Sequence, residues 1–135
     1  MLKYMTAEEA AELIQHGDVL GMGGFTATGV PKAVPFALAQ RAERLHAEGK
    51  PFRVGLETGA SMGDSCDGAL ARAHAVEFRT PYQSNKSMRE EINAEGTHYF
   101  DMHLSHMAQD LRYGFLPKPN WAIIEASYVG EDGTI

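Results

Sequence analysis

Residues 18–48, DVLGMGGFTATGVPKAVPFALAQRAERLHAE, read as one strand, one glycine loop and one helix in succession. Asp18 to Met22 predicts a short strand. It runs into Gly21–Pro35, GMGGFTATGVPKAVP, which opens with four glycines in nine residues. A helix pattern follows from about Lys32 to Glu48, with Pro31 and Pro35 near its start, where backbone N–H groups lack intrahelical partners anyway. Gly49 ends it.

The cycle recurs on both sides. Upstream, Thr6-Ala7-Glu8-Glu9 is a capping box opening a helix whose stripe is Ala10, Leu13 and Ile14, with Gly17 at C′. Downstream, Phe52–Glu57 predicts a strand, Thr58–Gly63 a loop, and Asp64 or Ser65 caps a helix to about Ala73. Ala75–Phe78 is a third strand, Arg79–Asn85 its loop, and Lys86 to about Ala94 the next helix. Thr97 to Asp101 has no clear pattern, and Leu104–Arg112 reads as a helix. Trp121–Ala126 (WAIIEA) is an almost unbroken apolar run, as expected of a strand covered on both faces. The alternation predicts an α/β fold: a three-layer domain with a mainly parallel sheet and right-handed crossovers.

Bulk properties narrow the function classes. A chain of 135 residues fits one domain with its own core. A net charge of −6 leaves no basic stripe to neutralise phosphates, which argues against nucleic acid. No apolar run approaches the ~20 residues of a spanning helix, and the N-terminus has no apolar signal region. A single cysteine, Cys66, excludes an internal disulfide and suits the cytoplasm. The last residues, 128–135, hold an Asp-Gly turn signal and stop as the next strand would begin. The expectation is a domain truncated at its C-terminal end, a piece of something longer.

Ligands bind outside the carboxyl ends of strands in open parallel sheets. Three loops leave that edge here, offering Thr26 and Thr28, then Thr58 and Ser61, then Thr80 and Ser84. Each leads into a helix N-terminus, where free N–H groups and the dipole favour an anion such as a carboxylate, phosphate or thioester oxygen. Turning and capping alone would also call for glycines and hydroxyls at these places. The nucleotide readings fail. Lys32 follows Pro31 rather than a P-loop glycine, and Thr26 stands where the third glycine of Gly-x-Gly-x-x-Gly belongs.

Gly24-Phe25-Thr26, Gly29-Val30-Pro31-Lys32, Thr58-Gly59-Ala60-Ser61, Thr80-Pro81-Tyr82-Gln83-Ser84-Asn85, Tyr99-Phe100-Asp101, Ile124-Glu125-Ala126 and Glu131-Asp132-Gly133 together resemble the N-terminal part of the acetyl-CoA hydrolase/transferase family, which includes succinyl-CoA:acetate CoA-transferases. The resemblance runs in order through essentially the whole chain. It implies a NagB/RpiA/CoA-transferase-type domain of a longer two-domain enzyme. Such enzymes move coenzyme A between an acyl-CoA and a carboxylate, or to water, through an acyl-glutamyl anhydride and a glutamyl-CoA thioester. The glutamate lies in the family's C-terminal half, so no catalytic residue is assigned in this chain. The implied partners are acyl-CoA, a small carboxylate and the C-terminal domain of the same protein. Coenzyme A enters as substrate, with no resident cofactor or metal. Without that domain, exposed apolar surface would favour self-association.

The substrate-binding residues expected on this basis are Gly23, Gly24, Phe25, Thr26, Ser61 and Ser84. The loop's N–H groups would stabilise oxyanion charge. Ser61 and Ser84 match hydroxyl positions of the family's active-site side. Phe25 is either an apolar wall for the acyl chain or a core anchor for the loop. Glu57 and Glu125, near strand ends, read as orienting loops through hydrogen bonds to backbone N–H groups. Glu131 is a solvated turn residue. Asp101, His103 and His106 lack the i, i+4 spacing of paired zinc histidines, so they read as polar contacts at a helix start. Cys66 reads as a buried helix residue, and Arg41, Glu43, Arg44, His46 and Glu48 as a solvated helix face.

Overall fold

The computed structural model describes residues 2–135. Its strands are β1 (Val19–Met22), β2 (Val54–Thr58), β3 (Val76–Thr80), β4 (His98–Tyr99) and β5 (Trp121–Ile123). Its α-helices are α1 (Ala7–Leu13), α2 (Ala33–Ala47), α3 (Ala69–Arg72), α4 (Lys86–Asn93) and α5 (Leu104–Tyr113). Every strand pair is parallel, in the order β4-β3-β2-β1-β5. The chain therefore steps outward from β1 to β4, then returns through α5 to the other side of β1. Right-handed crossovers place α2, α3 and α4 on one face of the sheet and α5 on the opposite one. The packing of α1 on α2, α2 on α3 and α3 on α4 agrees.

Alternation along the strands sorts the two faces. Leu20, Met22, Val54, Leu56 and Val76 join Leu38, Ala42, Leu70 and Met88 in one buried cluster, the core under α2–α4. Full burial of each leucine, valine or methionine side chain there stabilises the fold by roughly 1.5–3 kcal/mol. The opposite face carries Gly21, Glu57 and Ala122 in register with one another. Gly55 lies there opposite Phe78, and a Cβ on Gly55 would fall 2.3 Å from the Phe78 ring. Phe78 thus lies across Gly55. Only Met107 of α5 is buried, so this second face is thinly covered.

Several elements differ from the sequence reading, each for a local reason. The apolar run at 121–126 forms only the three-residue β5, an edge strand paired with β1 alone, and Ala122 and Ile124 stay exposed. Thr97–Asp101 contributes the two-residue β4. The capping box at Thr6 and Glu9 is present, but α1 ends at Leu13, and Gly17 serves a later turn at φ +86°. Ala11 and Ile14, rather than Leu13, are the buried side chains there. After β2 the chain makes a π-helical turn (Asp64–Gly68) before α3, with Gly63 in the N-cap position and no side-chain cap. Asp64 is instead paired with Arg72 at 2.7 Å.

Arg41 corrects the solvated-face reading of α2. Its guanidinium donates to the carbonyls of Ala11 and Ile14, pairs with Glu12 at 3.0 Å and lies 4.8 Å from the centre of the Phe52 ring. His46 is likewise engaged, with its ring 2.9 Å from the Phe52 carbonyl oxygen. Arg41 thus ties the end of α1 to α2. Arg41→Ala should cost about 1–3 kcal/mol, since charged donors leave their acceptors unpaired. Amide exchange in α1 should accelerate more than exchange in β2. Equal acceleration in both would contradict this role.

Candidate functional site

Because β1, β2 and β3 are adjacent and parallel, the loops that leave them open on one edge. The first, Gly23–Gly29, is short of side chains where it turns back on itself. Gly24 sits at φ +123°, and a Cβ there would lie 2.7 Å from Val30 Cγ1 and 3.0 Å from the Gly29 carbonyl oxygen, so only glycine fits. Phe25 and Thr28 then exchange two backbone hydrogen bonds of 2.9 Å, closing a tight hairpin with Thr26 at φ +55°. That is a strained conformation for a β-branched residue. Residues 24–29 are exposed, and the N–H groups of Gly24, Thr26, Ala27 and Gly29 have no acceptor among the described residues. Phe25 is 65% exposed, which removes the core-anchor reading and leaves its ring at the loop surface. Lys32 braces the loop's far end, donating to the Val30 carbonyl at 3.0 Å and pairing with Glu125 at 2.5 Å. Glu125 thus meets an ammonium rather than backbone N–H groups.

The second and third loops are knotted together underneath by one carboxylate. Asp67 has no solvent exposure, and its Oδ2 accepts from Ser61 Oγ (3.0 Å), Met62 N (2.6 Å) and Gln83 Nε2 (3.1 Å). Its Oδ1 lies 3.6 Å from Nε of the equally buried Arg79. Arg79 also donates to the carbonyls of Ala60 and Thr80, and burial lowers its pKa against the opposing pull of Asp67. Ser61 Oγ in turn accepts from Gln83 Nε2 (3.1 Å) and Asn85 N (3.3 Å). Gly63 of the second loop lies beside the first, where a Cβ would sit in ordinary contact 3.6 Å from the Thr26 carbonyl oxygen. Gly23–Thr26, Ser61 and Ser84 therefore share one edge, at different depths. The glycine loop and Ser84 are at the surface, while Ser61 is 1% exposed with its hydroxyl spent on Asp67, Gln83 and Asn85.

A domain model described as "Acetyl-CoA hydrolase/transferase N-terminal domain" matches residues 1–135. The chain belongs to the acetyl-CoA hydrolase/transferase family. Propanoyl-CoA:succinate CoA transferase of Escherichia coli K12 is 45% identical over 97% of this chain and 27% of its own length. Acetyl-CoA hydrolase of Candida albicans is 39% identical over 98% of this chain and 26% of its own. The chain thus spans about a quarter of the length of these relatives. A solved acyl-CoA transferase from E. coli O157:H7, in a thioester complex with CoA, shares the fold with a TM-score of 0.60. It is 16% identical, over 85% of this chain and 23% of its own.

The remaining sequence candidates lie as follows. Cys66 is buried against Met22 Sδ at 3.3 Å, and burial, reinforced by the Asp67 charge, pushes its thiol pKa far up, so it is inert. The rings of His103 and His106 are 5.8 Å apart, and no group of three metal-ligating side chains converges among the described residues. Glu131 is exposed in the Gly130–Thr134 turn. Sequence reasoning missed Asp67, Gln83 and Arg79. No local pattern signals them, since Asp67 and Arg79 stand twelve positions apart among other polar residues.

Glu57 corrects its reading outright. It lies on the sheet's second face, 1% exposed, and neither carboxylate oxygen has a hydrogen-bond partner among the described residues. Burial alone raises its pKa from 4.5 to about 7. The folded state therefore holds a proton that the unfolded state releases between those values. Stability should fall by about 3 kcal/mol as pH rises through that window and level off above it. Glu57→Gln should flatten that slope in urea titrations of the 135-residue chain. An unchanged slope would contradict the assignment. Asp67→Ala should cost about 3–5 kcal/mol by leaving Arg79 unpaired, against about 1 kcal/mol for Ser61→Ala. Equal losses would mean that Asp67 is not the junction.

Proposed function

We propose that this chain is the N-terminal domain of a CoA-transferase or acyl-CoA hydrolase, and that its three-loop edge holds the acyl or carboxylate end of the substrates. The observation that carries the reading is the exposed glycine loop with its free N–H groups, set on a rigid buried network. Preorganised donors of this kind stabilise oxyanion charge where a thioester carbonyl is attacked. Gly24 and Thr26 would present N–H groups, Phe25 an apolar wall, and Ser84 a hydroxyl. Gly23 lets the strand end pass close to Ile124, where a Cβ would lie 3.1 Å from Cγ2. Ser61 acts beneath them by fixing the second loop to the third.

In the covalent route a glutamate carboxylate attacks the thioester carbonyl and expels CoA thiolate, giving a mixed anhydride. The thiolate then attacks the glutamyl carbonyl, releasing the acyl carboxylate and leaving a glutamyl-CoA thioester. The acceptor carboxylate, or water, completes the exchange. The nucleophile is assigned to a C-terminal domain of the same protein, and coenzyme A is substrate, so no resident cofactor is invoked. The single buried cysteine fits a cytoplasmic setting. Exposed Phe25, Tyr113 and Phe115 fit packing against that second domain, or self-association of the isolated domain.

The test is CoA exchange between an acyl-CoA and a carboxylate. The intact protein should catalyse it, and residues 1–135 alone should not. Gly24→Ala in the intact protein should lower kcat on the order of a hundredfold by misplacing the loop, with a small fall in melting temperature because the added Cβ is strained against Val30. Turnover by residues 1–135, abolished by Glu57→Gln, Glu125→Gln or Glu131→Gln, would place the nucleophile in this half and contradict the reading. Ligand binding without turnover by the intact protein would favour a non-catalytic binding module.

A further inference from the structure

The glycine loop is a closed tip standing on two feet. Phe25 and Thr28 exchange two backbone hydrogen bonds, so residues 25–28 move as a unit, and the residues on either side set where that unit stands. One tripeptide at the end of β5, Ile123-Ile124-Glu125, holds both sides. At the entry foot the Gly23 N–H donates to the Ile123 carbonyl at 3.1 Å. The Ile124 side chain lies against the same residue, where a Cβ on Gly23 would fall 3.1 Å from its Cγ2. At the exit foot Glu125 pairs with Lys32, whose ammonium donates to the Val30 carbonyl at 3.0 Å. Among the described residues Lys32 is the one donor to that carbonyl. Val30 is buried, and Gly24 packs directly on it, since a Cβ on Gly24 would fall 2.7 Å from Val30 Cγ1. The two feet thus meet at Gly24 and Val30, and Glu125 reaches that contact through Lys32.

Energetics separate this clamp from the fold. The Lys32 and Glu125 side chains keep 54% and 44% of their exposure, and an ion pair so open to solvent adds little to stability. The Val30 side chain, set in the core, fixes where the exit foot stands. What the pair fixes is the direction of the Val30 carbonyl, and with it the peptide from which the tip departs. Donors aimed at developing charge lose rate when they are misplaced by as little as about 1 Å. Such a loss falls on the transition state more than on substrate binding. We propose that Ile124 and Glu125 are positioning residues, clamping the two feet of the glycine loop through Gly23 and through Lys32, so that its free N–H groups stay where oxyanion charge develops. The inference rests on the substrate-holding reading of the three-loop edge and adds to it two residues from outside the loops.

Two readouts in the intact protein test the clamp. One is NMR relaxation of the Ala27 methyl group, whose axis follows the backbone at the loop tip, in methyl-labelled protein. The other is CoA exchange between an acyl-CoA and a carboxylate. Glu125→Gln should lower the Ala27 methyl-axis order parameter by about a quarter or more and leave that of Ala39, buried in α2, unchanged. It should lower kcat about tenfold, with KM within about twofold and the melting temperature within about 2 °C. Lys32→Met should do the same, and the double variant should be no slower than Lys32→Met alone, because the two side chains act as one unit. Ile124→Ala should loosen the tip from its other foot and lower kcat about threefold or more. A tip as rigid in Glu125→Gln as in the unsubstituted protein overturns the clamp. A loosened tip with unchanged kcat overturns its positioning role, as does a rise in KM alone. Loss of all turnover would make Glu125 a reacting group and overturn it too. If the unsubstituted protein catalyses no exchange, the reading of the edge fails, and Ala27 mobility by itself decides whether the clamp exists.

Discussion

A carboxylate removed from water has to be satisfied by whatever folds around it, and Asp67 is satisfied by three separate pieces of chain. It takes a hydroxyl and a backbone N–H from the loop after β2, an amide from the loop after β3, and faces the Arg79 guanidinium from β3 itself. Removing any one partner leaves charge or polarity stranded in a site without solvent, which makes the junction cooperative. The glycine loop passes beside Gly63 at the margin of this platform.

The parallel topology decides what that platform is used for. With β1, β2 and β3 side by side, the loops converge at one edge without any long connection. The return through α5 and β5 then brings Glu125 onto Lys32, bracing the glycine loop from the other side. The same return leaves the second face of the sheet thinly covered, with Glu57 beneath α5. One topology therefore yields a polar edge and, adjoining it at Gly23, Thr58 and Gly59, a largely apolar pocket with Glu57 in its lining.

Much of this was legible in the sequence. Strand–loop–helix cycles gave the order of elements, and the Thr6–Glu9 capping box and Gly49 marked real helix ends. The family resemblance was readable from short motifs at the three loops and near the chain end. What escaped has a common cause: it depends on which residues meet across the fold. Ser61 reads as a substrate-binding hydroxyl from its loop position and the family resemblance, yet Asp67 and Gln83 enclose it. Arg41 looked solvated because its neighbours are charged, yet the carbonyls at the end of α1 need a donor. WAIIEA looked like a central strand because apolar runs usually are, yet its place at the sheet edge is set by the crossover.

The central claim is that the loops leaving β1, β2 and β3 form one substrate-holding edge. Amide hydrogen exchange of the intact protein, with and without acyl-CoA and a carboxylate, tests it most directly. The account predicts that the N–H groups of Gly24, Thr26, Ala27 and Gly29 gain protection together with those around Ser84, while α1 and the outer turn of α2 do not change. Protection confined to other parts of the chain, with the glycine loop exchanging as freely as before, would contradict it.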